Sequence, residues 1–271
     1  MGDLDSAAVA STEGATGLWI RRFHPAPDAP VRMICLPHAG GSATYYLPVA
    51  RALAPAVDVL AVQYPGRQDR MREPCVDSLH ELADRVAEQV RPWTGVPIAL
   101  FGHSMGATLG YEVAKRLERD GAGPLVLFAS GRRAPSTHRD GEVMYLRPDE
   151  DLLDDLRAMS GTDSRVFADE SLLRLVLPAL RSDYKATETY RHTPGAGPEL
   201  ACPIVALVGD SDPKATVEEA RAWDTHTTAG FDLRVFDGGH FFLNDHAPAV
   251  IELIAERLAG LRGLAAPGGR C

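Results

Sequence analysis

A serine, a histidine and an aspartate, which together can cleave acyl bonds, occur in this chain at positions suited to that chemistry. Ser104 lies at the centre of residues 102–106, between an apolar run at 98–101 and a helix-compatible run at 107–119. Glycines two residues before and after the serine allow a sharp strand-to-helix turn that pushes the hydroxyl outward. The pattern predicts a serine nucleophile that attacks an acyl carbonyl carbon.

A carboxylate and then a histidine follow the serine, in the order that this architecture requires. His240 comes just after an apolar run at 233–236, and two aspartates come just after an earlier run at 204–208. Because the carboxyl ends of parallel strands meet at one edge of a sheet, we expect these side chains near Ser104. His240 is predicted to take the serine proton as general base and to return it to the leaving group.

Two aspartates compete for the place beside this histidine. Asp212 is favoured, because Pro213 after it favours an extended or turn backbone that suits a side chain pointing across the sheet edge. Asp210 lies nearer the strand and is interpreted as a turn or capping residue, but it stays an alternative. Some hydrolases of this architecture place the acid after the strand that follows the serine helix. Here that strand, the apolar run at 124–130, is followed by a glycine and two arginines and by no carboxylate.

Two backbone amides are predicted to stabilise the oxyanion of an acyl reaction. An apolar run at 31–36 ends in a loop of mostly small residues at 37–42, which can bring the amide of Ala39 beside the serine. Met105, directly after the nucleophile, supplies the second amide. Loss of one such donor typically costs about 3 to 4 kcal/mol of transition-state stabilisation.

Length and charge limit the classes of protein to which this chain can belong. Its 271 residues, 45% hydrophobic and 24% charged, suffice for one enzyme-sized domain with a large core. The net charge of −9 argues against a nucleic-acid partner. No apolar run approaches the ~20 residues of a membrane span, and the acidic amino terminus is unlike a secretory signal, so we expect a cytoplasmic location. The four cysteines lack paired metal spacing and are interpreted as thiols; neither a metal site nor a cofactor is predicted.

Strand and helix signals alternate along the chain and predict an α/β fold with a doubly wound, mostly parallel sheet. Residues 1–17 are expected to be disordered, residues 18–260 to form the domain, and residues 261–271 to form a loose, glycine-rich tail.

One insertion interrupts the alternation, after what we count as the sixth strand. Residues 131–200 are far more than a strand–helix–strand connection needs, and they contain helical patterns at 149–160 and 170–190. These helices are expected to lie over the serine as a lid. Their apolar residues can pack the helices together or line an acyl pocket, and Leu173 and Val176 are predicted to line it.

Four phrases of the sequence together resemble the external, or type II, thioesterases that accompany modular polyketide and nonribosomal peptide synthases. The resemblance covers residues 18–260 and rests on Pro37-His38-Ala39-Gly40-Gly41-Ser42, Tyr64-Pro65-Gly66-Arg67-Gln68, Gly102-His103-Ser104-Met105-Gly106 and Gly238-Gly239-His240-Phe241-Phe242-Leu243. It implies an α/β-hydrolase fold with a helical lid. The implied activity is hydrolysis of acyl thioesters on the phosphopantetheine arm of a carrier protein, which releases stalled or wrongly loaded groups. The resemblance also implies Ser104, Asp212 and His240 as the triad, since the family's acid follows a glycine by three positions, as Asp212 follows Gly209.

Other functions stay open at this point, because a serine triad cleaves oxyesters, amides or thioesters according to what its pocket admits. One alternative is a free-standing carboxylesterase for small soluble esters. Another is a catalytically silent binding protein with a hydrolase fold, and a third is acyl transfer to an alcohol instead of water.

A carrier-protein partner raises a problem of charge. Such carriers are generally acidic, so a chain with a charge of −9 needs a local basic surface to meet them. Two arginine clusters, at 67–72 and 132–139, follow predicted strands on the catalytic edge. Arg132 and Arg133 are predicted to dock the carrier protein.

Overall fold

A seven-stranded sheet organises the residues that the computed structural model describes, 17–160, 170–194 and 199–264. Its strands are β1 (Ile20–Arg21), β2 (Arg32–Leu36), β3 (Asp58–Val62), β4 (Ile98–His103), β5 (Leu127–Ser130), β6 (Ile204–Gly209) and β7 (Phe231–Phe236). They lie in the order β1-β3-β2-β4-β5-β6-β7, and every neighbouring pair is parallel except β1 with β3. The chain reverses its winding direction between β2 and β4, which is where open sheets of this kind form a crevice.

Helices cover both faces of this sheet. They are α1 (Leu47–Leu53), α2 (Leu79–Val90), α3 (Met105–Arg119), α4 (Asp149–Ser160), α5 (Glu170–Glu188), α6 (Val217–Arg221), α7 (Phe242–Asp245) and α8 (Ala247–Leu264). The central strands are buried on both sides: Ile34 packs with residues of α2 and α3, whereas Met33 and Cys35 pack with residues of α1 and α8. This two-sided burial explains why the strands read as continuous apolar runs.

The local sequence accounts for where α2 begins and which way it faces. The Ser78 hydroxyl accepts a hydrogen bond from the Glu81 N–H at 3.4 Å, which caps the first turn. Leu82, Val86 and Val90 recur every fourth residue and are fully buried against the sheet.

The mostly parallel, doubly wound sheet agrees with the prediction, but the position of the insertion does not. The insertion follows β5, which is the fifth strand of the described residues and not the sixth. The count is lower than predicted because the described residues before β2 form one strand, the two-residue β1. The last helix continues to Leu264, past the predicted domain boundary at residue 260. Residues 1–16 and 265–271, within the predicted disordered and loose segments, lie outside the described residues. Within the described residues, no helix is long and apolar enough to cross a membrane.

Candidate active site

A strained turn between β4 and α3 presents Ser104. Its φ of 56° and ψ of −118° are rarely adopted by a residue with a side chain. A Cβ on Gly102 would lie 2.0 Å from the Gly106 carbonyl oxygen, and one on Gly106 would lie 2.0 Å from the Leu36 carbonyl oxygen. The Ser104 N–H donates to the Ser130 carbonyl at 2.8 Å and ties the turn to β5. Only glycine fits at these two positions, which is why the motif has that spacing.

Ser104, His240 and Asp212 form one chain of hydrogen bonds. The Ser104 Oγ lies 3.0 Å from Nε2 of His240, whose Nδ1 lies 3.0 and 2.9 Å from the two carboxylate oxygens of Asp212. His240 is 2% exposed and Asp212 is 5% exposed. A carboxylate beside Nδ1 keeps the proton of the neutral imidazole on Nδ1, which leaves Nε2 free to accept the serine proton. The arrangement can therefore generate a serine nucleophile.

The two competing aspartates have different surroundings. Asp212 lies against the imidazole, and its Oδ1 also accepts the Lys214 N–H at 2.8 Å. Asp210 is exposed, and its Oδ1 accepts the Gly238 N–H at 3.1 Å. That hydrogen bond holds the pKa of Asp210 below its usual value. The structure thus brings Asp212 to His240 and gives Asp210 a place in the loop framework.

The glycine that precedes the acid by three positions has a steric role. A Cβ on Gly209 would lie 2.4 Å from the carbonyl oxygens of both Gly238 and Gly239. The loops after β6 and β7 can therefore approach each other only with glycine at this position. This approach brings the aspartate of one loop within hydrogen-bond distance of the histidine of the other.

A cavity of about 300 Å³ opens above Ser104 and His240. Ala39 and Met105 line it beside the serine. In the part of the chain that the structure describes, no acceptor takes the backbone N–H of either residue. Two free amides next to a nucleophile are what a developing oxyanion needs. Both residues predicted as oxyanion donors thus line the same cavity as the serine, and their role as donors stays a prediction.

The sequence is similar to a known protein family over most of its length. The thioesterase domain family matches residues 31–258. This chain belongs to the thioesterase family. This chain is 52% identical over 257 residues to Thioesterase PikA5 of Streptomyces venezuelae. The alignment covers 94% of this chain and 90% of PikA5.

Solved structures agree with this assignment. The type II thioesterase BorB from the borrelidin biosynthetic cluster has a TM-score of 0.84 and 52% identity, with 89% of this chain and 98% of BorB covered. RedJ, a thioesterase from the prodiginine biosynthetic pathway in Streptomyces coelicolor, has a TM-score of 0.80 and 36% identity, with 86% and 93% covered. The α/β-hydrolase fold and the resemblance to type II thioesterases are thereby confirmed.

Two further imidazoles of the thioesterase lie near His240, and both are held neutral. The ring centroid of His103 is 5.0 Å from that of His240, and His38 is 6.0 Å from His103. Burial, with a smaller contribution from His240, lowers the pKa of His38 to about 3 and holds the pKa of His103 well below its usual value. Neither of these two rings would therefore place a second positive charge beside an imidazolium at His240.

Arg132 and Arg133, the two arginines that directly follow the glycine after β5, are not exposed side chains. Arg133 is 4% exposed, and its Nη1 donates to Glu142 at 3.1 Å within an ion pair. Arg132 is half-buried and lines the same cavity as Ser104. A buried cation whose charge is already paired exerts only a weak electrostatic attraction on an approaching protein, so this geometry speaks against Arg133 as a docking residue, and its docking role stays an untested prediction.

The lid residues that line the cavity differ from the predicted ones. Met144, Leu156 and Met159 contribute apolar surface to it. Val176 lies half-buried in α5 but outside the described lining, and the side chain of Leu173 lies outside the described part of the structure. Much of the inward face of the lid packs its own helices together, through Leu152, Leu177, Leu180 and Tyr184.

Enlarging Leu156 should shorten the acyl chains that the thioesterase accepts. We expect Leu156→Phe to reduce kcat/KM for hexanoyl relative to propionyl thioesters about 10- to 100-fold, because one misfit methylene costs roughly 1 to 3 kcal/mol in such a pocket. The chain-length profile of purified enzyme measures this effect. Val176→Phe is the matched control on α5 and should leave the chain-length profile unchanged. A changed profile in this variant would show that Val176 does line the pocket.

A buried ion pair ties the lid to the loop that carries Ala39. Asp183 of α5 is 1% exposed and accepts from Nη1 and Nη2 of Arg67 at 2.7 and 2.9 Å. The same carboxylate accepts the Gly40 N–H at 2.8 Å, and Arg67 Nη1 also donates to the Gly41 carbonyl at 3.0 Å. The lid thus fixes the peptide units directly after Ala39. From the sequence alone, Arg67 is predicted only as a member of an arginine cluster on the catalytic edge, although it also belongs to one of the four family phrases.

A second contact ties the lid to the acid loop. The Lys214 Nζ lies 2.8 and 3.0 Å from the carboxylate oxygens of Asp155 on α4. Asp155 also accepts the Tyr184 hydroxyl of α5 at 2.6 Å, so both lid helices meet at this carboxylate. Because the Lys214 N–H holds Asp212, the lid contacts the loops of both the oxyanion donors and the acid.

Proposed function

We propose that this thioesterase hydrolyses acyl thioesters on the phosphopantetheine arm of acyl or peptidyl carrier proteins, and so removes stalled or aberrant groups from a polyketide or nonribosomal peptide synthase. The observation that carries the proposal is the hydrogen-bonded Ser104, His240 and Asp212 at the floor of a lidded cavity. The 52% identity to PikA5 over most of both chains supports the same activity. A cytoplasmic location, where the enzyme would share a compartment with the synthase, is part of the proposal.

The proposed reaction has two acyl-transfer steps. The Ser104 Oγ attacks the thioester carbonyl carbon while Nε2 of His240 takes its proton. The amides of Ala39 and Met105 stabilise the oxyanion, and the C–S bond breaks as His240 protonates the departing pantetheine sulfur. Water, deprotonated by His240, then attacks the acyl-serine ester, releases a carboxylic acid and restores the serine hydroxyl.

The test compares carrier-bound and free substrates. Carrier proteins loaded with acetyl, propionyl or hexanoyl groups are incubated with the enzyme, and the released holo-carrier is measured by mass spectrometry. We expect a higher kcat/KM for carrier-bound groups than for the same acyl groups as small soluble esters. The Ser104→Ala variant provides the blank.

Two outcomes would overturn the proposal. Equal or better efficiency on soluble esters, with no dependence on the carrier, would identify a free-standing carboxylesterase. If a fluorophosphonate, which reacts with activated serines, left the native protein unlabelled, the protein would be a binding module without turnover.

A further inference from the structure

An unpaired cation stands in the wall of the active-site cavity. Arg132 follows β5, and its Nε donates to the Thr108 hydroxyl at 3.1 Å. Within the described residues, no carboxylate lies within ion-pair distance of its guanidinium, and no acceptor takes its two terminal nitrogens. Burial, with a contribution from Arg133, lowers the pKa of Arg132 to about 10. A half-buried cation without a counter-ion gains stability when an anion pairs with it.

The backbone and side chain of Arg132 are fixed before any ligand arrives. Gly131 has a φ of +58°, and a Cβ there would lie 2.4 Å from Cε1 of His103. The Arg132 carbonyl accepts the indole N–H of Trp223 at 2.9 Å. Thr108, which holds Nε, is buried on the helix that begins after the nucleophile. The terminal nitrogens are therefore held in place, as a specific binding site requires.

Arg132 lines two cavities. A second cavity, of about 210 Å³, adjoins the one above the serine, and polar side chains line much of it. The residues common to both cavities are Arg132, Arg133, Thr187 and Glu188. Arg133 is paired with Glu142, and the Glu188 carboxylate accepts two backbone N–H groups. Of the cations in this shared wall, Arg132 has its charge unmatched.

We propose that Arg132 is a subsite for an oxyanion of the substrate, either a carboxylate or a phosphate, that binds while the thioester carbonyl lies at Ser104. This inference rests on the proposed function. An acyl-phosphopantetheine substrate can present such oxygens from two sources. One is the free carboxylate of a dicarboxylic acyl group, and the other is the phosphate of the arm. A planar guanidinium with two free N–H groups binds either of them in a bidentate manner.

Three small thioesters separate the two sources. Propionyl-pantetheine is the neutral reference, methylmalonyl-pantetheine adds a carboxylate to the acyl group, and propionyl-4′-phosphopantetheine adds a phosphate to the arm. For each anionic substrate, the measured quantity is its kcat/KM divided by that of the reference. In Arg132→Gln we expect one of these ratios to fall about 10- to 100-fold, mainly through KM, as is typical when a hydrogen bond to a charged group is lost.

Two further variants make the result interpretable. Arg132→Lys keeps the positive charge but loses the planar pair of N–H donors that binds an oxyanion in a bidentate manner. The kcat/KM ratio that falls in Arg132→Gln should therefore have an intermediate value in Arg132→Lys. Arg157→Gln removes the same charge from the exposed side of α4, away from both cavities, and should leave both ratios unchanged.

Each outcome has one meaning. A fall confined to the methylmalonyl ratio assigns the subsite to acyl carboxylates, and a fall confined to the phosphate ratio assigns it to the arm. Unchanged ratios in both Arg132 variants would overturn the inference while leaving the proposed function intact. If the native enzyme cleaved none of the three substrates and no carrier-bound thioester, the proposed function itself would fail.

Discussion

Replacing Asp212 by asparagine is expected to lower kcat about 10⁴-fold, the loss seen when a triad acid becomes an amide. The Asp212 carboxylate lies 2.9 Å from Nδ1 of His240 and is the acidic group that contacts this imidazole in the described residues. Asparagine keeps the size of the side chain, but its NH₂ group favours the wrong tautomer of the ring. It also cannot stabilise the imidazolium that forms when the serine loses its proton.

Asp210→Asn is the matched control, because it removes the same charge two residues away. The exposed Asp210 carboxylate binds the Gly238 amide and does not touch the imidazole. We expect kcat to stay within about threefold of the native value, as for a surface change worth about 0.5 kcal/mol. Steady-state release of acyl groups from a carrier protein measures both variants. If Asp210→Asn lowered kcat more than Asp212→Asn, Asp210 would be the acid of the triad.

Local patterns in the sequence predict the residues of this site that lie at strand ends. A strained serine turn, a glycine three residues before an acid, and two glycines before a histidine are each short-range signals. The structure supplies the steric reason for them, because Cβ atoms at Gly102, Gly106 and Gly209 would clash with neighbouring backbone. Ser104 and His240 are 136 residues apart in sequence. Because their parallel strands end at one edge of the sheet, the Ser104 Oγ lies 3.0 Å from Nε2 of His240.

Contacts made by the lid could not be predicted in this way. Arg67 and Asp183 are separated by 116 residues, and no local pattern marks either residue as buried. For Arg133, its paired state depends on a turn that brings Glu142 back towards β5. Helical periodicity predicted α4 and α5 but not which apolar side chains face the serine, because the lid also uses such residues to pack against itself.

The contact between lid and oxyanion loop should matter for both stability and rate. We expect Asp183→Asn to lower the free energy of unfolding by about 3 to 5 kcal/mol, because it leaves Arg67, 6% exposed, as a buried charge without its partner. The Gly40 amide also loses its charged acceptor, so the peptide that presents the Ala39 N–H is no longer held. Misplacement of one oxyanion donor costs about 10²- to 10³-fold in kcat.

Thermal or urea unfolding gives the stability, and kcat is measured well below the melting temperature. The concentration of folded enzyme is counted by complete labelling of Ser104 with a fluorophosphonate. The control is Asp149→Asn, which breaks the exposed lid ion pair with Arg181 and should cost at most about 1 kcal/mol, with no change in kcat. A positioning role for Asp183 predicts a lower kcat for each labelled site, with little change in KM. If kcat per labelled site were unchanged while stability fell, Asp183 would hold the lid in place without orienting the oxyanion loop.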